Sequence, residues 1–209
     1  MGIVPTYERG TLVITPTEVT NFDRTDAELE AFYLFSLFVA GKNSDYAGRC
    51  LARIINNSAT AAVGLTPFGA FRTMTETQVR NVLVASKIGQ YGRLTKAVMD
   101  SLNLDLRTCT LEDLLAVHGV GPKTARFFML HSRRDAKHAV LDTHILSWLR
   151  SHGVKDAPKA TPQNAKRYSE LEETFIRLAE LWFPNVPLAE VDLLIWMQES
   201  GRLSDEVSV

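Results

Sequence analysis

Lys123 and Asp142 are the two side chains whose settings could support a reaction. Lys123 stands in Gly119-Val-Gly121-Pro-Lys123-Thr-Ala, and Asp142 in Val140-Leu-Asp142-Thr-His144. Gly119 and Gly121 bracket Val120 in a tight turn that calls for positive φ, which glycine adopts at little cost. Pro122 suits the first position of a helix, where its missing N–H is no loss. Lys123 then falls in that helix's first turn, beside the positive end of its dipole and near Arg126. Both neighbours disfavour the ammonium form, the condition an amine nucleophile requires. Asp142 reads as the N-cap of a further helix, where amide donors hold the carboxylate ionised. The open amides of the turn and helix start form a phosphate-binding arrangement that needs no sequence-specific contact. A lysine nucleophile and a fixed carboxylate beside such a turn suggest chemistry on a sugar carbon of DNA.

The elements that must position this pair are all helical. Thr110 caps a short apolar helix from Leu111, so residues 111–150 read as helix, turn, helix, basic connector and helix. Upstream, residues 1 to about 24 lack a helical period, and Thr11–Thr15 before Pro16 fits a short strand or an extended arm. Thr25 and Glu28 make a capping box for a helix through Val39, with Phe32, Phe35 and Leu37 or Phe38 on its buried side. Ser44 reads as the N-cap of the next helix, which carries Leu51, Ile54 and Ile55. Residues 56–65 read as a loop, Thr66-Pro67 as a short helix start, and Thr75 with Gln78 as a second capping box. Gly153 ends the Asp142 helix. Thr161-Pro162 opens a long amphipathic helix that stops at Pro184, and Pro187 to Ser200 forms the last one.

Composition narrows the class. The 209 residues are 45% hydrophobic and 22% charged, ordinary for a globular chain with a sizeable core. No apolar run reaches the length of a membrane span, and no signal-peptide layout opens the chain. Met1-Gly2-Ile-Val-Pro-Thr6 fits the loose myristoylation pattern, which short sequences match by chance. Cys50 and Cys109 are the two cysteines, too few for a disulfide framework or a cysteine zinc site, and a reducing, intracellular compartment follows as the default. Net charge is −1, but seven basic residues face two acidic ones between His118 and Lys155, against two basic and nine acidic from Glu170 onward. A basic face opposite an acidic one permits phosphate binding without a basic isoelectric point. The five histidines lie between 118 and 152 without metal-ligand spacing, and solvated imidazoles on a basic connector explain the cluster. No metal site is expected.

Gly119-Val-Gly121-Pro-Lys123-Thr-Ala followed by Leu141-Asp142-Thr-His144 resembles the helix-hairpin-helix (HhH-GPD) DNA glycosylase superfamily, in its 8-oxoguanine DNA glycosylase/AP lyase branch. The resemblance implies an all-α, two-lobed single domain over 1–209, with lobes at about 25–135 and at 1–24 plus 136–209, and the hairpin at 111–133. The cysteine count is incompatible with the four-cysteine iron–sulfur cluster of the endonuclease III relatives, which favours the cluster-free branch. Carried over by position, Lys123 is the Schiff-base nucleophile and Asp142 stabilises the oxocarbenium-like transition state. Gly119, Val120, Gly121 and His144 hold the DNA backbone. Asn43, with Lys42 beside it, matches the side chain that fills the hole left by a flipped base. Tyr91, in the loop Ile88 to Arg93, matches a second wedge in the base stack. Asp192 and Trp196 lie four apart on one helix face, so a ring can stack on a base while a carboxylate accepts from its edge. They resemble the base pocket of the archaeal-type enzymes, with Phe127 as the opposite wall.

Blander readings stand beside these: Asn43 as a surface turn, Tyr91 as local packing, Trp196 as core and Asp192 as a surface charge. The function implied is excision of a damaged purine, foremost 8-oxoguanine, from double-stranded DNA by an intracellular monomer without a cofactor. Alternatives are a monofunctional glycosylase, a glycosylase for another modified base, and a non-catalytic hairpin module that binds DNA.

Overall fold

The computed structural model describes residues 15–56 and 65–203, and the backbone at 7–8 and 11–12. Most of the 56–65 loop and the Met1–Thr6 pattern lie outside the described residues. The elements are β1 (Tyr7–Glu8), β2 (Thr11–Leu12), α1 (Asp26–Phe38), α2 (Ser44–Ile55), α3 (Pro67–Arg72), α4 (Glu76–Ser86), α5 (Tyr91–Ser101), α6 (Leu111–Ala116), α7 (Pro122–Ser132), α8 (Thr143–Ser151), α9 (Ala165–Trp182) and α10 (Leu188–Glu199), with a 3₁₀ turn at Pro16–Glu18. The two short strands pair antiparallel, Tyr7 opposite Leu12. The architecture is otherwise helical, as the capping pattern requires.

Local signals placed most helix starts. Thr25, Thr75 and Thr110 each close a capping box, with Glu28, Gln78 and Asp113 at the third helical position. Two starts differ from expectation. Asn43, not Ser44, caps α2 through its side chain's bond from Tyr46 N, and Asn164, not Thr161, caps α9. In both, an asparagine oxygen reaches the third helical amide, which fixes the start. Thr161 instead donates its hydroxyl to Leu141 O at 2.7 Å.

α1 buries more than one side. Every residue from Leu29 to Phe38 except Glu30 is buried, because α2, α3, α5 and α7 all pack around it. This helix centres the larger core cluster, which runs from Val19 to Phe128 and includes stacked and edge-on pairs of Phe32 and Tyr33 with Phe128. A second cluster joins α8, α9 and α10 around Leu146, Trp148, Tyr168 and Phe175. Leu130, Val140 and Ala189 form a small cluster of their own, which shares Phe127 with the first and Leu188 with the second. The functional candidates sit between the two large clusters.

Candidate functional site

The hairpin turn is built mostly from backbone. Gly119 adopts φ +73°, and a Cβ there would come within 2.6 Å of Arg93 Cγ, so glycine is required twice over. Gly121, expected to share that need, has φ −96°, a conformation any residue adopts. The Val120 amide bonds to Val117 O at 3.1 Å and its side chain is in the core, so only part of the turn is open to a ligand. Gly121 supplies no side-chain cap to α7, which leaves the first-turn amides at Lys123 and Thr124 for an anion.

Arg93, unremarked in the sequence, ties the Gln90 loop, the hairpin turn and the end of α1 together. Its Nε donates to Gln90 Oε1 at 2.8 Å, one terminal nitrogen to Gly119 O at 2.9 Å and the other to Leu37 O at 3.2 Å. Burial lowers its pKa. Lys87, Gly89 and Gln90 all have positive φ, so the loop expected to carry a wedge is conformationally strained. Tyr91 is not at its tip: it begins α5 and is partly buried against the larger core.

Asp142 caps α8 as expected, its Oδ1 accepting from the amides of His144 and Ile145, both at 2.9 Å. The strap that leads into it is fixed from α9. The Tyr168 hydroxyl accepts from Leu141 N at 3.1 Å and donates to Ala139 O at 2.8 Å. Glu172 accepts from Ala139 N at 2.9 Å and pairs Arg126 at 2.8 Å. The Arg126 guanidinium also lies 4.3 Å from the Tyr168 ring centroid. Lys123 and Arg126 share α7, so this network links the helix of the lysine to the strap of the aspartate. Burial would raise Glu172, but His138, Arg126 and the Ala139 amide outweigh it and hold the carboxyl below its ordinary value. Burial drives the Tyr168 hydroxyl well up.

Arg126, expected to act on Lys123 as a nearby charge, is itself paired with Glu172. Other members of the basic stretch are also engaged internally. Arg133 donates to Leu106 O and Cys109 O, Arg150 to Pro158 O, and Arg134 pairs Asp23. Nor are the imidazoles all solvated. His131 is 1% exposed, His138 pairs Glu172 at 3.4 Å, and His152 stacks on Trp148 at 4.1 Å.

Two cavities meet at Lys123, Asp142 and Trp196. The inner one is lined among others by Lys123, Phe127, His131, Asp142, Asp192 and Trp196. The outer one, which shares Lys123, Asp142 and Trp196, adds Lys42, Asn43 and His144. The structure thus gathers eight of the expected residues. Gly119, Val120, Gly121 and Tyr91 are outside both linings. Asn43 uses its side chain to cap α2. The Lys42 Nζ is enclosed without a hydrogen-bond partner among the described residues, and burial, then Arg93, lowers its pKa.

Asp192 is 4% exposed, not a surface charge, and burial raises its pKa against the pull of His131. Trp196 is held on the cavity wall by Arg202, 5.0 Å from its ring centroid, and by the edge-on ring of His144 at 6.3 Å. Arg202 in turn bonds Asp45 at 2.6 Å, tying the end of the last helix to α2. No cluster of side chains suited to a metal ion occurs among the described residues. Chemically, the site offers a primary amine and a fixed carboxylate at the rim of an aromatic-walled cavity with a second carboxylate at its back. That set admits a flat ring and presents a nucleophile beside it.

A family model for the helix-hairpin-helix motif matches residues 104–129. Among solved structures, the chain is similar to the 8-oxoguanine DNA glycosylase of Methanocaldococcus jannaschii. Identity is 20% over 88% of this chain and 84% of that one, at a TM-score of 0.65. A second structure from that organism, the glycosylase/lyase in complex with a 15mer DNA containing 8-oxoguanine, matches at 18% identity and a TM-score of 0.64, covering 88% and 86% of the two chains. The Thermotoga maritima 8-oxoguanine DNA glycosylase matches at 18% identity and 0.58, over 84% and 81%. The chain has the fold of these glycosylases. No helix among the described residues is long and apolar enough to cross a membrane.

Proposed function

We propose that the protein is a bifunctional DNA glycosylase/AP lyase that extrudes a damaged purine, foremost 8-oxoguanine, from double-stranded DNA and excises it. The observation that carries this reading is the joint lining of one cavity by Lys123, Asp142, Phe127, Asp192 and Trp196. A hairpin that only grips DNA needs its turn amides, but not a lysine and a carboxylate on one cavity with aromatic walls behind them.

The extruded base stacks against Trp196 and Phe127, with Asp192 facing its edge. Neutral Lys123 Nζ attacks the anomeric carbon, the N-glycosidic bond breaks, and the bonding pair leaves with the base, which takes up a proton. Asp142 offsets the positive charge that develops on the sugar, a fixed-charge stabilisation worth several kcal/mol in comparable sites, on the order of 3. The adduct opens to a Schiff base. Loss of a proton from the adjacent carbon then expels the 3′ phosphate, and the strand is nicked. The first-turn amides of α7 and the side chain of His144 hold the backbone. Asn43, Lys42 and Tyr91 are assigned to the opened duplex, and for Asn43 this means giving up its helix cap. A single two-lobed domain acting as a monomer suffices, and no metal or organic cofactor enters the scheme.

The test is a duplex with 8-oxoguanine opposite cytosine, alongside duplexes with other oxidised or alkylated bases and modified cytosines. The expected result is base release with strand nicking that needs no alkali and persists in EDTA. Release without nicking would instead indicate a monofunctional enzyme. Binding with neither base release nor nicking on any duplex of the panel would leave the non-catalytic module.

A further inference from the structure

The two oxygens of Asp192 are used differently. Oδ2 lies 3.2 Å from His131 Nε2, while Oδ1, buried on a residue that lines the inner cavity, has no hydrogen-bond partner among the described residues. The Val140 amide also favours the charge of this carboxylate. A buried oxygen without a partner beside a cavity is costly unless something that binds there satisfies it.

His131 is itself braced. Its Nδ1 lies 2.7 Å from Thr20 Oγ1, which has Ala189 O as a second partner at 3.5 Å. Its ring meets Phe127 edge-on, with centroids 5.0 Å apart. Either the imidazole donates to a carboxylate, or a carboxylic acid donates to the imidazole. In both arrangements Oδ2 is occupied and Oδ1 remains a bare acceptor.

We propose that His131, braced by Thr20, is a positioning residue that occupies one oxygen of Asp192 and so dedicates the other to an N–H donor on the edge of the base in the cavity. This rests on the glycosylase reading above, and narrows it to bases whose edge carries N–H donors, as guanine derivatives do. The other groups facing the pair do not take over the role. Lys123 and Asp142 line the same cavity from α7 and the α8 cap, and Asp142 opposes ionisation of Asp192. On α9, Tyr168 is bonded to the strap and Glu172 to Arg126. From the N-terminal segment, Arg24 donates to the His131 carbonyl at 2.8 Å, not to its ring. Ser36 of α1 donates to Phe32 O.

Without the imidazole, burial and Asp142 act on Asp192 with less opposition, and the carboxyl takes up a proton. Either oxygen can then carry the proton, so Oδ1 is no longer reserved as the acceptor for an N–H donor. His131→Phe is therefore expected to lose base excision at neutral pH by on the order of 10- to 100-fold and to regain it as pH rises. His131→Gln, whose amide can still donate to Oδ2, is expected to keep most activity and the flat pH profile.

A second readout needs no turnover: the ¹³C resonance of the Asp192 carboxyl, assigned against Asp192→Asn. In the wild type and His131→Gln it should hold one position through the neutral range, and in His131→Phe it should titrate there. If His131→Phe does not fold, Thr20→Val is expected to move the titration the same way by a smaller amount. An unmoved Asp192 resonance in the folded variant, or equal and pH-independent losses in Phe and Gln, would overturn the proposal. If the carboxyl behaves as expected but the wild type neither releases a base nor nicks an abasic strand, the enzyme reading fails and the positioning role stands.

Discussion

The two sides of the cavity are held in different ways. The lysine side is local: Thr110, the Gly119 turn, Pro122 and Lys123 are close in sequence, and backbone geometry does most of the positioning. The aspartate side is long-range. Asp142 follows a strap whose position depends on Tyr168 and Glu172 from α9, and on Arg126 from α7. A local wall should lose stability in small, independent steps. A networked wall should lose more per change, and its changes should not add.

Breaking the network gives the largest effect. Arg126→Met leaves Glu172 charged and largely enclosed, and should cost about 3–5 kcal/mol in denaturant unfolding. Adding Glu172→Gln to it should recover part of that loss, and a strictly additive double mutant would show that the pair does not act as a unit. On the local side, Gly119→Ala should cost about 1–3 kcal/mol, because it forces a left-handed conformation and displaces Arg93. DNA affinity should fall with it, since Arg93 also ties Gln90 and Leu37 to the turn.

Tyr168→Phe removes a hydroxyl that both accepts and donates on the strap. It should cost about 1–3 kcal/mol and lower turnover while leaving DNA binding nearly intact, separating positioning from affinity. The smallest loss is expected from Thr110→Ala, about 1 kcal/mol from the cap of α6.

Acid titration contrasts the two walls again. The folded value of Glu172 lies below its unfolded value of 4.5, so its contribution is complete above that pH and is lost as pH falls through the folded value. Melting temperature should drop over that acid range in the wild type, and Glu172→Gln should lack this part of the drop.

The same contrast explains what the sequence made legible. Capping boxes at Thr25 and Thr75, the cap at Thr110 and the proline after Gly121 are signals within a few residues, and the helices begin where they point. Asp192 and Trp196 were recognisable because an acid among apolar residues, four before a tryptophan, is a local oddity. His131 and Arg126 were not. His131 reads as one more solvated imidazole and Arg126 as a charge beside Lys123, and their partners lie 61 and 46 residues away. Arg93 was hidden for the same reason, since Gly119 and Leu37 approach it only in the fold. The all-round burial of α1 was invisible because periodicity tells which face is apolar, not how many helices surround it.

The central claim is that the Lys123 amine attacks the sugar, with Asp142 beside it. The most direct measurement is to reduce the enzyme on 8-oxoguanine duplex with borohydride, digest the adduct and find the modified residue by mass spectrometry. The expected result is a sugar remnant on Lys123, and no adduct with Lys123→Ala. A full adduct on the Lys123→Ala protein, or a remnant on Lys42 in the wild type, would contradict it.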